Sequence, residues 1–457
     1  MQDKSEFLGT EPIGRLLFRL ALPTVAAQII NMLYNIVDRI YIGHMPGDGD
    51  LALTGLGICM PIILIVSAFA ALISSGGAPR ASIYMGQGDN DAAERMLGSC
   101  MALQIVISAV LTTVLLIWNR DFLMAFGGSE NTIEYAVSYM NIYAAGTIFV
   151  ELTLGMNAFI TAQGYANQGM KTILIGAGLN IVLDPIFIFG FGMGVRGAAL
   201  ATVISQAASC AWVLSFLCGG KGTLRVRKEY IRLDKRFIAA CVSLGIAPFI
   251  MQSSESILSV CFNSSLQRYG GDLAVGAMTI LTSANNFAML PLMGIAQGAQ
   301  PILSYNFGAG NKERVKKTFF LLLRSTVGYA AVLWLLIELF PRVFCGVFTP
   351  DETLLAYSAR VIRIYCGALI LMGAQNACQM TFISLGNAKA SAIVAIMRKF
   401  VLLIPLIYIM PLLMKDKAIA VYTAEPVADI LAVTFTVILF SFQFRKALKG
   451  MDARKVE

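Results

Sequence analysis

Histidine occurs once in the 457 residues, at His44, so neither a histidine-based catalytic relay nor an HExxH zinc site can be assembled. A phosphate-cradling GxxxxGKS/T loop is missing as well. Gly219-Gly220-Lys221-Gly222 lacks its spacing, so the chain does not fuel work by its own ATP hydrolysis. The nine cysteines, among them Cys59, Cys100, Cys241 and Cys261, sit mostly in apolar runs without CxxC spacing. That pattern excludes a disulfide framework or zinc cluster and suits small packing residues. No nucleophile–base pair or soluble sensory domain stands out, which leaves a membrane enzyme or receptor as the weakest reading. No small-residue cleavage site closes the first apolar run, so that run, after the polar stretch Met1 to Pro12, is expected to remain in the mature protein.

Charge is scarce, at 14%, while 57% of residues are hydrophobic, well above the roughly 45–50% of soluble domains. About 20 apolar residues span a bilayer, and about a dozen stretches of that length follow one another. The spans are expected near residues 15–42, 52–77, 93–118, 134–160, 168–190, 196–218, 237–265, 273–300, 317–340, 353–381, 390–412 and 418–444. An even number leaves both termini on one side. Basic residues crowd one loop (Lys221, Arg225, Arg227, Lys228, Arg232, Lys235, Arg236), a second (Lys312, Arg314, Lys316, Lys317) and the tail (Arg445, Lys446, Lys449, Arg454, Lys455). The net charge of +8 therefore reads as topology, with these loops and both termini cytoplasmic, and not as a nucleic-acid surface. A monomer in the cytoplasmic (inner) membrane is expected, with the lipid bilayer as its surroundings and no nucleic-acid partner.

A constant offset of 222 positions links two halves. Gly49-Asp50-Leu51-Ala52 recurs as Gly271-Asp272-Leu273-Ala274, Gly86 and Gly88 as Gly308 and Gly310, and Gly164 as Gly386. Internal duplication marks secondary transporters, and repeats with an even number of spans are related by an axis along the membrane normal. The expected fold is all-α and polytopic, with twelve transmembrane helices in two pseudo-symmetric six-helix bundles. An N-terminal lobe (1–218) would join a C-terminal lobe (237–457) through a basic linker (219–236).

Two carboxylates, Asp38 and Asp184, lie inside spanning segments, where a charge costs roughly 2.5–3.5 kcal/mol on insertion scales and so usually serves a cavity, an ion or a proton. Gln28, Asn31, Asn35 and Asp38 recur every three or four residues and share a helical face, although interhelical amide contacts would produce the same pattern. Asn180 and Asp184 are one turn apart, Pro185 frees a carbonyl beside them, and Thr202 of the next span adds a hydroxyl. All are hard oxygen donors, suited to Na+ or H+ and unsuited to soft metals, and no further cofactor is implied. Two acids brought close are relieved alike by a proton, a metal cation or a cationic drug, which couples those ligands by competition. In the second half Gln252, Glu255, Ser259 and Asn263 repeat the stripe; a Glu255 paired with a basic residue would look the same in sequence. Glu151, Arg363, Arg398 and Asp429 rank lower, with Arg398 beside Lys399 expected to snorkel or anchor a cytoplasmic helix end. Pro23, Pro61, Pro248, Pro291, Pro405 and Pro411 interrupt apolar runs and bend them.

Four segments together resemble the multidrug and toxic compound extrusion (MATE) family, in its DinF-like and MepA-like branch. They are Pro23 to Gly43 ending in Asp38-Arg39-Ile40-Tyr41-Ile42-Gly43, Asn180-Ile181-Val182-Leu183-Asp184-Pro185, Gly197-Ala198-Ala199-Leu200-Ala201-Thr202, and Gln297-Gly298-Ala299-Gln300-Pro301. The resemblance covers nearly the whole chain. It implies two lobes alternating between inward and outward openings, exporting organic cations against a Na+ or H+ gradient. It also implies a cation- and proton-linked site at Asp38, Asn180, Asp184 and Thr202, with Asn157 and Tyr139 as additions. Lys415-Asp416-Lys417-Ala418-Ile419-Ala420 replaces the Gly-rich linker common before the family's last helix, a departure that bears on the external mouth of the second lobe.

The reading is thus a cation-coupled antiporter that is not an enzyme, taking small amphipathic organic cations. The resemblance also admits a lipid-linked oligosaccharide flippase of the same superfamily, whose pyrophosphate cargo would demand cavity arginines or lysines. Few basic residues lie within the apolar runs; Arg39, Arg324 and Arg363 are the ones that rival would use.

Overall fold

The computed structural model describes residues 5–45 and 49–454, so Lys455 of the basic tail and residues 1–4 lie outside the described residues. Among the described residues all regular structure is helical. After a single turn at Phe7–Thr10 come α1 (Ile13–Gly43), α2 (Gly49–Gly86), α3 (Asn90–Ala125), α4 (Ile133–Ala145), α5 (Thr147–Ala162), α6 (Ala166–Pro185, prolonged by a π turn over Ile186–Gly190) and α7 (Val195–Cys218). The second bundle holds α8 (Lys235–Gly308), α9 (Lys312–Leu339), α10 (Glu352–Tyr365), α11 (Leu369–Ser384), α12 (Ala388–Ile396), a π segment (Met397–Leu403), α13 (Ile404–Leu413) and α14 (Lys417–Arg454), with a short turn at Pro341–Gly346.

Among the described residues nine helical stretches are long and apolar enough to cross a bilayer alone, and two bent pairs qualify jointly. The 74-residue α8 is broken at Gly271 (φ 64°, ψ −161°) into two spans, which brings the crossings to twelve. The stretches read as single spans at 134–160 and 353–381 prove to be the bent pairs, turning by 57° and 50°. At the first bend Gly146 lies against Val203, where a Cβ would meet Val203 Cγ2 at 2.4 Å. Helix starts follow local chemistry, since Asp89, Asp351 and Asn387 accept from the backbone N–H of Ala92, Leu354 and Ala390. The duplication is visible in the backbone. Gly88 and Gly310 (φ 78° and 70°), like Gly164 and Gly386 (φ 87° and 71°), occupy the left-handed region at matching helix ends, where a side chain is strained.

The buried core forks. One cluster is shared by the bundles, joining Leu16, Ile73, Met96 and Phe159 to Cys241, Ile302, Phe319 and Phe382. Beyond it the core splits into Ile42, Leu56, Leu115 and Val195 in the first bundle and Leu258, Leu281, Leu333 and Tyr422 in the second. The two bundles are therefore fused over one half of their height and separately packed over the other. The fused half carries the chain's first turn, where Asn306 Nδ2 and Arg314 Nη2 donate to the Leu8 carbonyl at 2.9 and 3.1 Å. It also carries the basic linker, whose Tyr230 donates to Asp91 and whose Arg227 pairs with Glu94 at 2.6 Å.

Glycine makes this fusion possible. A Cβ on Gly86 would meet the Tyr305 carbonyl oxygen at 2.0 Å, and one on Gly308 would meet the Ile83 oxygen at 2.0 Å, a reciprocal pair related by the same offset of 222. Gly76 against Cys241 O (2.1 Å) and Gly245 against Leu72 O (1.8 Å) form a second reciprocal pair between α2 and α8. Such close backbone approach is how helices pack in lipid, where burial of apolar surface gives little drive. Gly245→Ala is expected to destabilise by about 1–3 kcal/mol through overpacking, lowering the melting temperature in detergent. Gly178→Ala, whose Cβ would meet nothing within 4 Å, should leave it level or higher.

Candidate functional site

Where the core forks, the first bundle is polar inside. The Asp38 carboxyl on α1 and the Asp184 carboxyl on α6 lie in hydrogen-bonding contact, both buried. Asn180, one turn before Asp184, donates from Nδ2 to Asp184 Oδ1 at 3.2 Å and to Thr202 Oγ1 of α7 at 3.4 Å. Tyr139 of α4 hydrogen-bonds Thr202 in turn, and its ring stacks on Tyr143 with centroids 6.2 Å apart. The backbone explains the convergence. Pro185 and the π turn that follows end α6 beside α1, while Gly197 lets α7 approach the Phe187 backbone so closely that a Cβ there would meet the Phe187 carbonyl at 2.8 Å.

Two carboxylates in contact repel by about 4 kcal/mol at 4 Å even at an effective dielectric of about 20. A proton or a cation between them removes that repulsion. Asp38 Oδ1, Asp184 Oδ2 and Asn180 Oδ1 are buried without a hydrogen-bond partner, so three oxygens remain to receive such a charge. The donor set is oxygen throughout, which fits Na+ or H+.

Beside the acids lies a cavity of about 150 Å³ lined by Gln28, Asn31, Tyr34, Thr153, Asn180 and Thr202, among others. Gln28 and Asn31 thus share one wall, and Gln28 also reaches Gln297 of the second bundle at 3.1 Å. Asn35 is exposed and donates to the Asn31 carbonyl of its own helix at 2.6 Å. Tyr34, which sequence reasoning passed over, lies on the same face of α1 one turn before Asp38 and within electrostatic range of both acids. Its phenol had the spacing but no charge to draw attention.

Asn157 is not part of the acidic cluster. It is bound to Gly169 O at 3.3 Å and Thr172 Oγ1 at 2.9 Å, and Thr172 precedes Asp184 by twelve residues, about 18 Å along α6. Glu151 is fully buried on α5, where it accepts from Gln104.

The second bundle carries a different polar interior. Arg398 neither snorkels nor anchors a helix end: its side chain is 12% exposed, with Nε donating to Asp429 Oδ1 at 2.8 Å and Nη2 to Glu425 Oε1 at 3.1 Å. Those two acids, one turn apart on α14, supply the counter-charge that makes interior burial cheaper than a reach to the interface. Glu255 on α8 meets Lys399 Nζ at 2.5 Å, and Gln252 lies one turn before it on the same face. Among the described residues no three His, Cys, Asp or Glu side chains gather as a metal site.

A MatE family model matches residues 23–186 and again residues 247–409. The chain belongs to the MatE family, multi-pass membrane transporters of small molecules and not enzymes. It is 24% identical over 411 residues to the multidrug export protein MepA of Staphylococcus haemolyticus, covering 90% of each chain, and 23% identical over 399 residues to MepA of Staphylococcus aureus, covering 87% of each. Among solved structures it superposes on a MATE transporter in the bent conformation with a TM-score of 0.92 at 21% identity, over 99% of this chain and 100% of that one. An outward-facing multidrug resistance MATE transporter gives 0.90 at 20% identity, over 98% and 100%. A transporter from Pyrococcus furiosus, described as having a binding pocket of reversed polarity, gives 0.91 at 21%, over 98% and 99%.

Asn180→Leu strips Asp184 and Thr202 of their donor and is expected to destabilise by about 1–3 kcal/mol in detergent melts. Asp184→Asn removes one of two like charges and should melt no lower than the unmodified protein. Arg398→Gln leaves Glu425 and Asp429 facing each other unpaired, with an expected loss of about 3–5 kcal/mol in the same measurement.

Proposed function

We propose that the chain is a cation-coupled antiporter of the cytoplasmic membrane that exports amphipathic organic cations by alternating access. Asp38 and Asp184 form its coupling pair. The observation that carries this reading is the contact between those two buried carboxyls, with three unpartnered oxygens around it and a polar cavity alongside. Asn180 holds Asp184 through Oδ1, and Thr202 and Tyr139 complete the hydrogen-bonded wall. Gln28, Asn31 and Tyr34 offer a surface that an aromatic or amide-bearing cation can follow toward the acids. A coupling ion on the pair withdraws the negative charge that attracts the cargo, and the arriving cargo displaces the ion; one charge balance thus ties the two movements together.

The lobes in this reading are residues 1–218 and 237–457, rocking about their fused half while the linker 219–236 stays strapped to the first. With the basic linker cytoplasmic, the fused half lies toward the cytoplasm and the forked half opens outward. The multidrug export described for the MepA relatives agrees with this direction of transport. Anionic cargo is disfavoured, since Arg398 and Lys399, the buried basic residues of the second bundle, are already matched by acids.

Asp38→Asn or Asp184→Asn is expected to abolish gradient-driven efflux of ethidium from sealed vesicles while leaving the melting temperature intact. Wild-type rates in both variants would overturn the assignment. Imposing Na+ and pH gradients separately on the same vesicles identifies the coupling ion, because only the true driver powers accumulation.

A further inference from the structure

At their fused end the two bundles repeat a backbone plan but are filled differently. In the first bundle the linker turns back after α7 and inserts Leu224, which is fully buried and whose N–H donates to Gln163 Oε1 at 2.8 Å. Beside it Ser5, hydrogen-bonded to Thr223 at 2.6 Å, reaches the Met85 sulfur. At the offset of 222, Met85 corresponds to Phe307, Ile160 to Phe382 and Gln163 to Leu385. Those three counterparts line a cavity of about 280 Å³. Its other wall is α14, which does not turn back at Phe440, the counterpart of Cys218, but runs on to Arg454. The space that a chain segment fills in one bundle is thus a cavity in the other.

The cavity is amphipathic. Its buried side is aromatic, with Phe440 stacked on Phe444 at a centroid distance of 4.9 Å and meeting Phe382 edge-on at 5.2 Å. Its rim is polar: Asn387 Nδ2 donates to Gln443 Oε1 at 3.3 Å, and Lys446 stands exposed beside them. Among the described residues neither Lys446 nor the nearby Lys449 makes an ion pair, whereas the acids at these helix ends, Asp452 and Glu313, are held by Lys312 and Lys316. The rim therefore carries positive charge that nothing in the chain answers. Its depth is that of the headgroups, because the apolar run of α14 ends at Phe444 and the basic residues begin at Arg445. Basic pockets between spans on the cytoplasmic side suit anionic lipid headgroups. We propose that this cavity binds one anionic phospholipid of the inner leaflet, its phosphate on Lys446 with the Asn387 and Gln443 amides, and the upper part of one acyl chain against the phenylalanine rings. The lipid does for the second bundle what Leu224 does for the first, wedging apolar bulk between helix ends with a polar group at the rim. Phosphatidylcholine brings the same chains but carries its own cation, which competes with Lys446 for the phosphate. Free phosphate lacks the apolar part. The site uses the proposed orientation, with the fused half toward the cytoplasm, and is independent of what the chain exports.

The test is native mass spectrometry of the full chain in detergent, titrated with phosphatidylglycerol or phosphatidylcholine, beside melting curves with inorganic phosphate. One phosphatidylglycerol is expected to be retained per chain, about tenfold more tightly than phosphatidylcholine, the weight of one hydrogen bond to a charged group. Lys446→Gln should remove that preference. Gly450→Leu places a side chain at the rim, where a Cβ meets nothing within 4 Å, and should release the retained lipid at an unchanged melting temperature. Lys228→Gln, on the linker and outside the cavity, should change neither. Equal affinity for the two lipids, a preference that survives both cavity variants, or an equal loss in Lys228→Gln would overturn the proposal. So would inorganic phosphate raising the melting temperature as far as the lipid does, since that describes a simple anion patch. Should Gly450→Leu fail to fold, Lys446→Gln, at an exposed position, decides. No transport is measured, so failure here leaves the exporter reading standing, and failure of that reading leaves this site to be judged by its own binding.

Discussion

The contact between Asp38 and Asp184 is the constraint around which the first bundle is organised. Two acids held together in an apolar slab repel as a charged pair, and a fold that keeps them there must relieve that cost. The rest of the bundle follows from this requirement. Asn180 and Thr202 hold one carboxyl in place, Pro185 and the π turn end α6 beside it, and the polar wall of α1 prevents the neighbouring space from closing as an apolar core. Stability alone would have replaced these groups with leucines.

The two bundles share a backbone plan and differ in electrical character. Matching left-handed glycines and reciprocal glycine–carbonyl contacts display the duplication. Among the described residues the first bundle buries Asp38, Asp184 and Glu151 with no basic partner in contact, while the second sets Arg398 between Glu425 and Asp429 and Lys399 against Glu255, three acids to two bases. That division gives one duplicated scaffold a half with an unpaired acid cluster beside a half whose acids and bases meet.

Much of this was legible in the sequence, for identifiable reasons. The apolar runs announced the spans, because lipid imposes a length that composition alone records. The offset of 222 announced the duplication, because glycines at left-handed turns and close crossings admit no substitute. The neighbourhood of Asn180 and Asp184 was legible through helical spacing, while Thr202, on the next span, entered as an added hydroxyl and through the resemblance. The pairing of Arg398 with Asp429 was not, since local periodicity says nothing about which helix a charge faces; the overlooked signal was charge, an Arg in one span answered by Glu425 and Asp429, one turn apart in another. Asn157 was carried over by resemblance; it is held by Gly169 and Thr172, and Thr172 lines the same cavity as Asn180 and Thr202. The bends at Gly146 and between Tyr365 and Leu369 were hidden because hydropathy averages across a kink.

The reciprocal contacts of Gly86 with Tyr305 and Gly308 with Ile83 have a mechanical meaning. They sit on the axis relating the bundles, so backbone there touches backbone with no side chain to act as a cushion. Such a joint has almost no travel of its own. At 1.5 Å per residue the 38-residue α2 is about 57 Å long, and these contacts lie near one end of it. In the rocking that we propose, a small rotation there would carry the far tips through a much larger arc.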